Sequence, residues 1–140
     1  MRVAFLGSGE FGLPSLESIA SRHDVPLVVS QPDRPAGRGR RTTPTPVAAR
    51  VLAAAGNDGD PLANTRLVRT DSVNDPEILR VVADAEPDCL VVIAFGQKIG
   101  PGLLDGRFAV NLHGSVLPRW RGAAPINRAV MAGDPTSGIS

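Results

Sequence analysis

The sequence predicts an α/β fold: a Rossmann-like parallel sheet flanked by helices, incomplete at its C-terminal end. Three observations predict it. Short runs rich in Val, Ile and Leu alternate with longer amphipathic stretches, the pattern of strands buried on both faces and joined by helices. The first run feeds Gly7, Gly9 and Gly12 in the spacing G-x-G-x-x-G, which suits a strand turning tightly into a helix. The length of 140 residues, with 42% hydrophobic content, is enough to bury one core and too little for two ordinary domains.

The elements follow in order. "VAFL" is the first strand and Phe11 to Ser21 the first helix, with apolar residues at helical spacing. "VPLVVS" is the second strand, followed by the irregular stretch "QPDRPAGRGRRTTPTP". Pro46 to Ala55 reads as a helix, and "GNDGDPLANT" as a second irregular stretch. Both irregular stretches are too rich in Pro, Gly and polar residues to be expected to pack, and long loops in a compact domain tend to be functional or disordered. "RLVR", "CLVVIAF" and "FAVNLH" complete the strands, with a helix from Pro76 to Glu86 that Asn74 and Asp75 are placed to cap. After "GSVLPRWRGAAP" comes a short helix near Ile126 to Met131, and "SGIS" looks like a strand just starting.

Fifteen Lys plus Arg against fourteen Asp plus Glu leave a net charge of +1, so attraction for a polyanion has to come from clustering. The cluster is Arg34, Arg38, Arg40 and Arg41, set among Gly37 and Gly39 with no aromatic residue for base stacking. Such a loop is expected to contact phosphates and to order on binding. The single Cys89 lies in an apolar run, as a buried thiol in a reducing cytoplasm would. No stretch approaches membrane-spanning length, and the apolar run after Met1 breaks at Gly7, too early for a signal peptide. The chain is expected to be soluble, cytoplasmic and without a membrane partner.

The glycine spacing raises the possibility of a dinucleotide site, with an anion at the helix N-terminus. That site also needs an acidic residue at the end of the second strand, where this chain has Ser30 and Gln31. Glu10 adds a negative charge inside the turn. The three glycines are therefore expected to be structural, with Gly9 left-handed or closely packed and poorly tolerant of Ala.

The densest chemistry lies in "VNLHGSVLPRWRGAAPIN". Asn111 and His113 are two apart, so an extended strand projects them to the same side at its C-terminal end, where open α/β sheets bind ligands. An amide donor beside an imidazole suits acyl transfer, in which an oxyanion develops and a proton must move. No Ser sits in a nucleophile elbow, and two histidines without ligand spacing argue against a metal. The attacking group is then expected to belong to the substrate, as an amine would. Arg119 and Arg121, flanking Trp120, either extend a positive surface or wall the pocket.

This segment resembles the methionyl-tRNA formyltransferase family, as do "QPDRPAGRGRR" and the opening "VAFLGSGEFG". The resemblance implies transfer of a formyl group from 10-formyltetrahydrofolate to the α-amino group of methionine on initiator tRNA. It implies that Asn111 and His113 are catalytic, donating to the oxyanion. Ser115, Val116, Leu117 and Pro118 match the folate-contacting Ser-Leu-Leu-Pro, with Val for Leu a mild departure. Arg38 matches the loop arginine that reaches the tRNA acceptor end, and Arg34, Arg40 and Arg41 join it.

The resemblance also implies a third catalytic residue, an Asp, and a C-terminal β-barrel domain, both beyond Ser140. Residues 1–140 are thus expected to be the N-terminal part of a formyltransferase domain, inactive alone. "AAAGNDGDPLANTRLV" is longer and more polar than the family has there. Two other readings are a formyltransferase acting on a nucleotide sugar or other small amine, and a nucleotide-binding Rossmann module using Gly7, Gly9 and Gly12.

Overall fold

The computed structural model describes residues 1–36 and 41–140. Five strands form one sheet: β1 (Arg2–Gly7), β2 (Asp24–Ser30), β5 (Arg66–Arg69), β6 (Cys89–Ile93) and β7 (Phe108–Leu112). Their order is β5-β2-β1-β6-β7. β1 pairs in parallel with β2 and β6, and β2 with β5, so the chain winds outward from the centre to one edge and then returns to build the other. Such a reversal leaves a crevice at the carboxyl ends of the central strands.

The strand sequences explain the layering. β1 is exposed only at Arg2, because its residues must be apolar on both faces to sit mid-sheet between helices. Ala4, Leu6, Leu27, Val29 and Leu90 share one core with Val82 of α3 (Pro76–Asp84) and Leu103 of α4 (Pro101–Leu104). The alternate residues face the other side, where Phe5 and Ile93 meet Gly12 at the start of α1 (Leu13–Ala20). α2 (Pro46–Ala54) buries Val47, Ala48, Val51 and Ala54, packs against β2 and β5, and is capped by the Thr45 hydroxyl, which accepts from the Ala48 amide at 3.2 Å.

All five expected sheet strands and the four expected helices form. The differences have local causes. The strand expected to run to Phe95 stops at Ile93, because Ala94 turns to φ 46; Phe95 is then buried in the core from the loop. Asp75 occupies the N-cap of α3 without a side-chain cap bond, and Asn74 serves elsewhere. Its side chain donates to Lys98 O at 2.9 Å and accepts from Gly100 N at 2.7 Å, tying α3's approach to the start of α4.

The described parts of both irregular stretches carry order, although residues 34–35 and 41–43 of the first stay exposed. Within the first, β3 (Arg34–Ala36) pairs antiparallel with β4 (Arg41–Thr43), with Arg34 opposite Thr43 and Ala36 opposite Arg41. β-Branched threonines favour that pairing over an open loop. In the second, Leu62 is fully buried, and Arg50 pairs with both Glu17 and Asp60, so that α1, α2 and the turn at 57–65 share one ionic clamp. The Arg50 guanidinium, helped by the Leu62 amide, holds the Asp60 carboxyl below the ordinary carboxylate range. Hydrogen bonds that Arg50 donates to Glu17 first and Asp60 second raise it further. Burial, then the neighbouring Asp88 charge, pushes the Cys89 thiol up. Among the described residues no helix is long and apolar enough to cross a membrane.

The chain divides into two compact units, Met1–Val110 and Asn111–Ser140. The second contains α5 (Pro125–Met131), packed through the buried Ala129.

Candidate active site

In the first unit, the glycine turn is filled by protein. The Ser8 carbonyl accepts from Val47 N at 3.3 Å at the start of α2, and the Ser8 hydroxyl donates to Phe95 O at 3.3 Å. Ser30 is fully buried, 2.6 Å from the Thr45 hydroxyl, and the Gln31 amide donates to Phe95 O at 2.8 Å. The residues that stand where a ribose-binding acid would stand are thus committed to holding β1, β2, β6 and α2 together.

Close packing requires a glycine at position 7 and favours one at position 12, and does not require one at position 9. A Cβ on Gly7 would collide with the Phe5 ring and lie 2.9 Å from Ile93 O, and one on Gly12 would lie 3.3 Å from Phe5. Gly9 corrects the expectation. Its φ of −79 and ψ of 163 suit any residue, and a Cβ there would meet only Ala94 at 3.4 Å.

The second unit builds the amide–imidazole constellation from the end of β7. Asn111 is exposed in the strand, and His113 follows it half-buried. His113 is anchored at both backbone groups, its N donating to Ser140 O at 2.7 Å and its O accepting from Ser140 N at 3.0 Å. Its Nε2 lies 3.0 Å from Trp120 O. A carbonyl only accepts, so Nε2 donates, and Nδ1 is the ring nitrogen left for other chemistry.

The intervening loop is pinned from within. Ser115 is buried, and its hydroxyl donates to Arg119 O at 2.7 Å. The Ser140 hydroxyl donates to Ser115 O at 3.0 Å and accepts from Leu117 N at 3.1 Å. Gly114 is required by close approach, since a Cβ would come within 3.2 Å of Ile126 at the start of α5. Val116 and Leu117 are left 59% and 41% exposed, an apolar surface beside His113 in sequence, and Pro118 follows on the same loop, also exposed.

Arg119 stays largely exposed, its side chain 64% accessible. It pairs with Asp134 at 2.9 Å and lies 5.0 Å from the Trp120 ring centroid, so it braces the loop. Asp134, which sequence reasoning missed, also accepts from the Trp120 indole at 2.7 Å. Nothing in "AGDP" signals that partnership, which spans fourteen residues. Of the basic cluster, Arg34 and Arg41 stand on the β3–β4 hairpin of the first unit, both exposed; Arg38 and Arg40 lie outside the described residues.

An open parallel sheet of this order, with an amide at the end of its last strand and an imidazole just past it, defines the class: a Rossmann-like α/β domain with polar chemistry at a strand's carboxyl end. The chain belongs to the formyl transferase family, whose model matches residues 1–140. It is 43% identical over 143 residues to a methionyl-tRNA formyltransferase of Xylella fastidiosa (strain 9a5c), covering 99% of this chain and 43% of that protein. It is 44% identical over 141 residues to a methionyl-tRNA formyltransferase of Cereibacter sphaeroides (strain ATCC 17025 / ATH 2.4.3), covering 99% of this chain and 44% of the relative. The chain thus spans less than half the length of these curated relatives. Its fold also matches a crystal structure of phosphoribosylglycinamide formyltransferase from Bacillus halodurans, with a TM-score of 0.72 at 22% identity over 99% of this chain and 69% of that one.

Proposed function

We propose that this chain is part of an enzyme that transfers the formyl group of 10-formyltetrahydrofolate to the α-amino group of methionine on initiator tRNA. The observation that carries the reading is the identity of 43% and 44%, over nearly the whole chain, to relatives named for that activity. The segment holding Asn111 and His113, with the exposed apolar Val116 and Leu117 following them, is chemically suited to the task.

In this reading the Asn111 amide donates to the oxyanion formed when the amine attacks the formyl carbon, and the His113 ring joins it as a donor once Nδ1 has taken a proton. The attacking amine must also lose a proton, and Nδ1 of His113 is a site able to take it while Nε2 stays bonded to Trp120 O. The folate supplies the formyl carbon, and as the intermediate collapses the bond from that carbon to the folate nitrogen breaks, the nitrogen leaving with a proton and the formyl group staying on the amine. Val116, Leu117 and Pro118 offer it an apolar surface, and Ser115 contributes by fixing their loop through its bond to Arg119 O. Arg34, Arg38, Arg40 and Arg41 contact tRNA phosphates. The protein then works in the cytoplasm, where translation starts.

Filter binding of methionylated initiator tRNA across salt concentrations tests the partner directly. Affinity falls as salt rises, and Arg38→Ala lowers the slope of log affinity on log salt by about 1, as loss of one phosphate contact does. An Arg38→Ala protein with the parent's affinity and slope would remove tRNA from the proposal.

A further inference from the structure

Trp120 has φ 57, in the left-handed region that a bulky aromatic residue rarely adopts. Such a backbone persists only where its surroundings over-determine it, and it tends to occur where the geometry is used. Here the surroundings are visible. The indole Nε1 donates to Asp134 Oδ2 at 2.7 Å, and Asp134 Oδ1 accepts from Arg119 at 2.9 Å. Asp134 is itself held, its side chain only 12% exposed and its backbone N donating to Ala129 O of α5 at 3.1 Å. What the strained residue presents is its carbonyl, 3.0 Å from His113 Nε2.

We propose that Asp134 is a positioning residue for His113: by gripping the Trp120 indole it holds the Trp120 carbonyl where it fixes the imidazole in the Nε2–H form with Nδ1 available. The proposal rests on the functional reading of His113 and deepens it. Asp134 acts at one remove, through an aromatic side chain and then a main-chain oxygen, and needs no contact with substrate. Without it, the indole has no anionic acceptor, the left-handed turn loses its anchor, and the imidazole loses the acceptor that sets its tautomer.

The chain has two histidines, His23 and His113, so the imidazoles can be read one by one in a ¹⁵N-labelled sample. His23 is exposed and serves as the solvent-averaged reference. In the parent, His113 shows a single-tautomer ¹⁵N pattern and a solvent-protected Nε2–H proton. In Asp134→Ala, with the remaining amide spectrum retained, the His113 shifts move to those of His23 and the protected proton is lost to exchange. Should Asp134→Ala fail to fold, Trp120→Phe removes the same N–H donor while keeping a ring, and the same change is expected. A His113 that keeps its protected Nε2–H in a folded variant of either kind overturns the proposal. The readout is the ring itself, so failure of the formyl-transfer assignment would appear in enzyme assays and leave these spectra unchanged.

Discussion

Replacing Gly7 with Ala and, separately, Gly9 with Ala gives opposite answers about what the glycine turn is for. At Gly7 the added methyl meets the Phe5 ring and stands 2.9 Å from the Ile93 carbonyl; that carbonyl belongs to β6, paired with Gly7 in the sheet, and cannot retreat without breaking register. Overpacking against such a wall costs about 1–3 kcal/mol. At Gly9 the methyl meets only Ala94, its side chain at 3.4 Å and its carbonyl at 3.9 Å, on a backbone already extended. There the smaller entropy of the unfolded chain offsets any crowding, for a net change of about 0 to 1 kcal/mol toward stability. The two variants should thus differ by about 2 kcal/mol in urea unfolding followed by circular dichroism, or roughly 6 °C in melting temperature for a chain of this size. Gly9→Ala destabilised as much as Gly7→Ala would refute the packing argument. Saturable NAD binding lost in Gly9→Ala would show that the turn holds a cofactor after all.

Leu62, fully buried from a turn-rich stretch, should cost about 2–5 kcal/mol when replaced by Ala, a value that surface-loop residues do not reach in the same urea titration. Arg50→Met should change the acid limb of the stability curve. Asp60 is depressed in the folded state, so its contribution is present above the unfolded carboxylate value and lost as pH falls through and below about 4. The urea midpoint of the parent should therefore fall more steeply than that of Arg50→Met between about pH 5 and pH 2.

The fold was largely legible because parallel strands buried on both faces leave continuous apolar runs, and Val3 to Leu6, Val25 to Ser30 and Cys89 to Ile93 are such runs. Their limits were less so. Nothing local marks Ala94 as left-handed, and the choice of Phe95 as a core residue is made by the tertiary fold. The hairpin at Arg34–Ala36 and Arg41–Thr43 was hidden because Pro, Gly and Arg outweigh two threonines in any reading of composition. Gly9 misled because a motif spacing says which residues are small and nothing about which of them a neighbour crowds. In the candidate site, Asn111 near the end of β7 and His113 just past it stand out in the sequence by residue type and spacing. Ser115 announced a hydroxyl, but its inward bond to Arg119 O depends on a turn that no spacing encodes. The Asp134–Trp120–His113 relay passes through a main-chain carbonyl, and a main-chain carbonyl has no sequence signature.

The central claim, that Asn111 and His113 serve formyl transfer to methionyl-tRNA, is tested most directly in a chimera. This chain would replace the matching segment of the Xylella fastidiosa relative, which it covers over 43% of that protein's length. Steady-state formyl transfer from 10-formyltetrahydrofolate would then be followed with methionyl-tRNA and with glycinamide ribonucleotide as acceptors. Turnover is expected with methionyl-tRNA only, with a fall in kcat of roughly 10²- to 10⁴-fold in His113→Ala, the usual cost of losing a positioned acid–base group. A chimera that formylates methionyl-tRNA equally well with Ala at position 113, or that prefers the small amine, would contradict it.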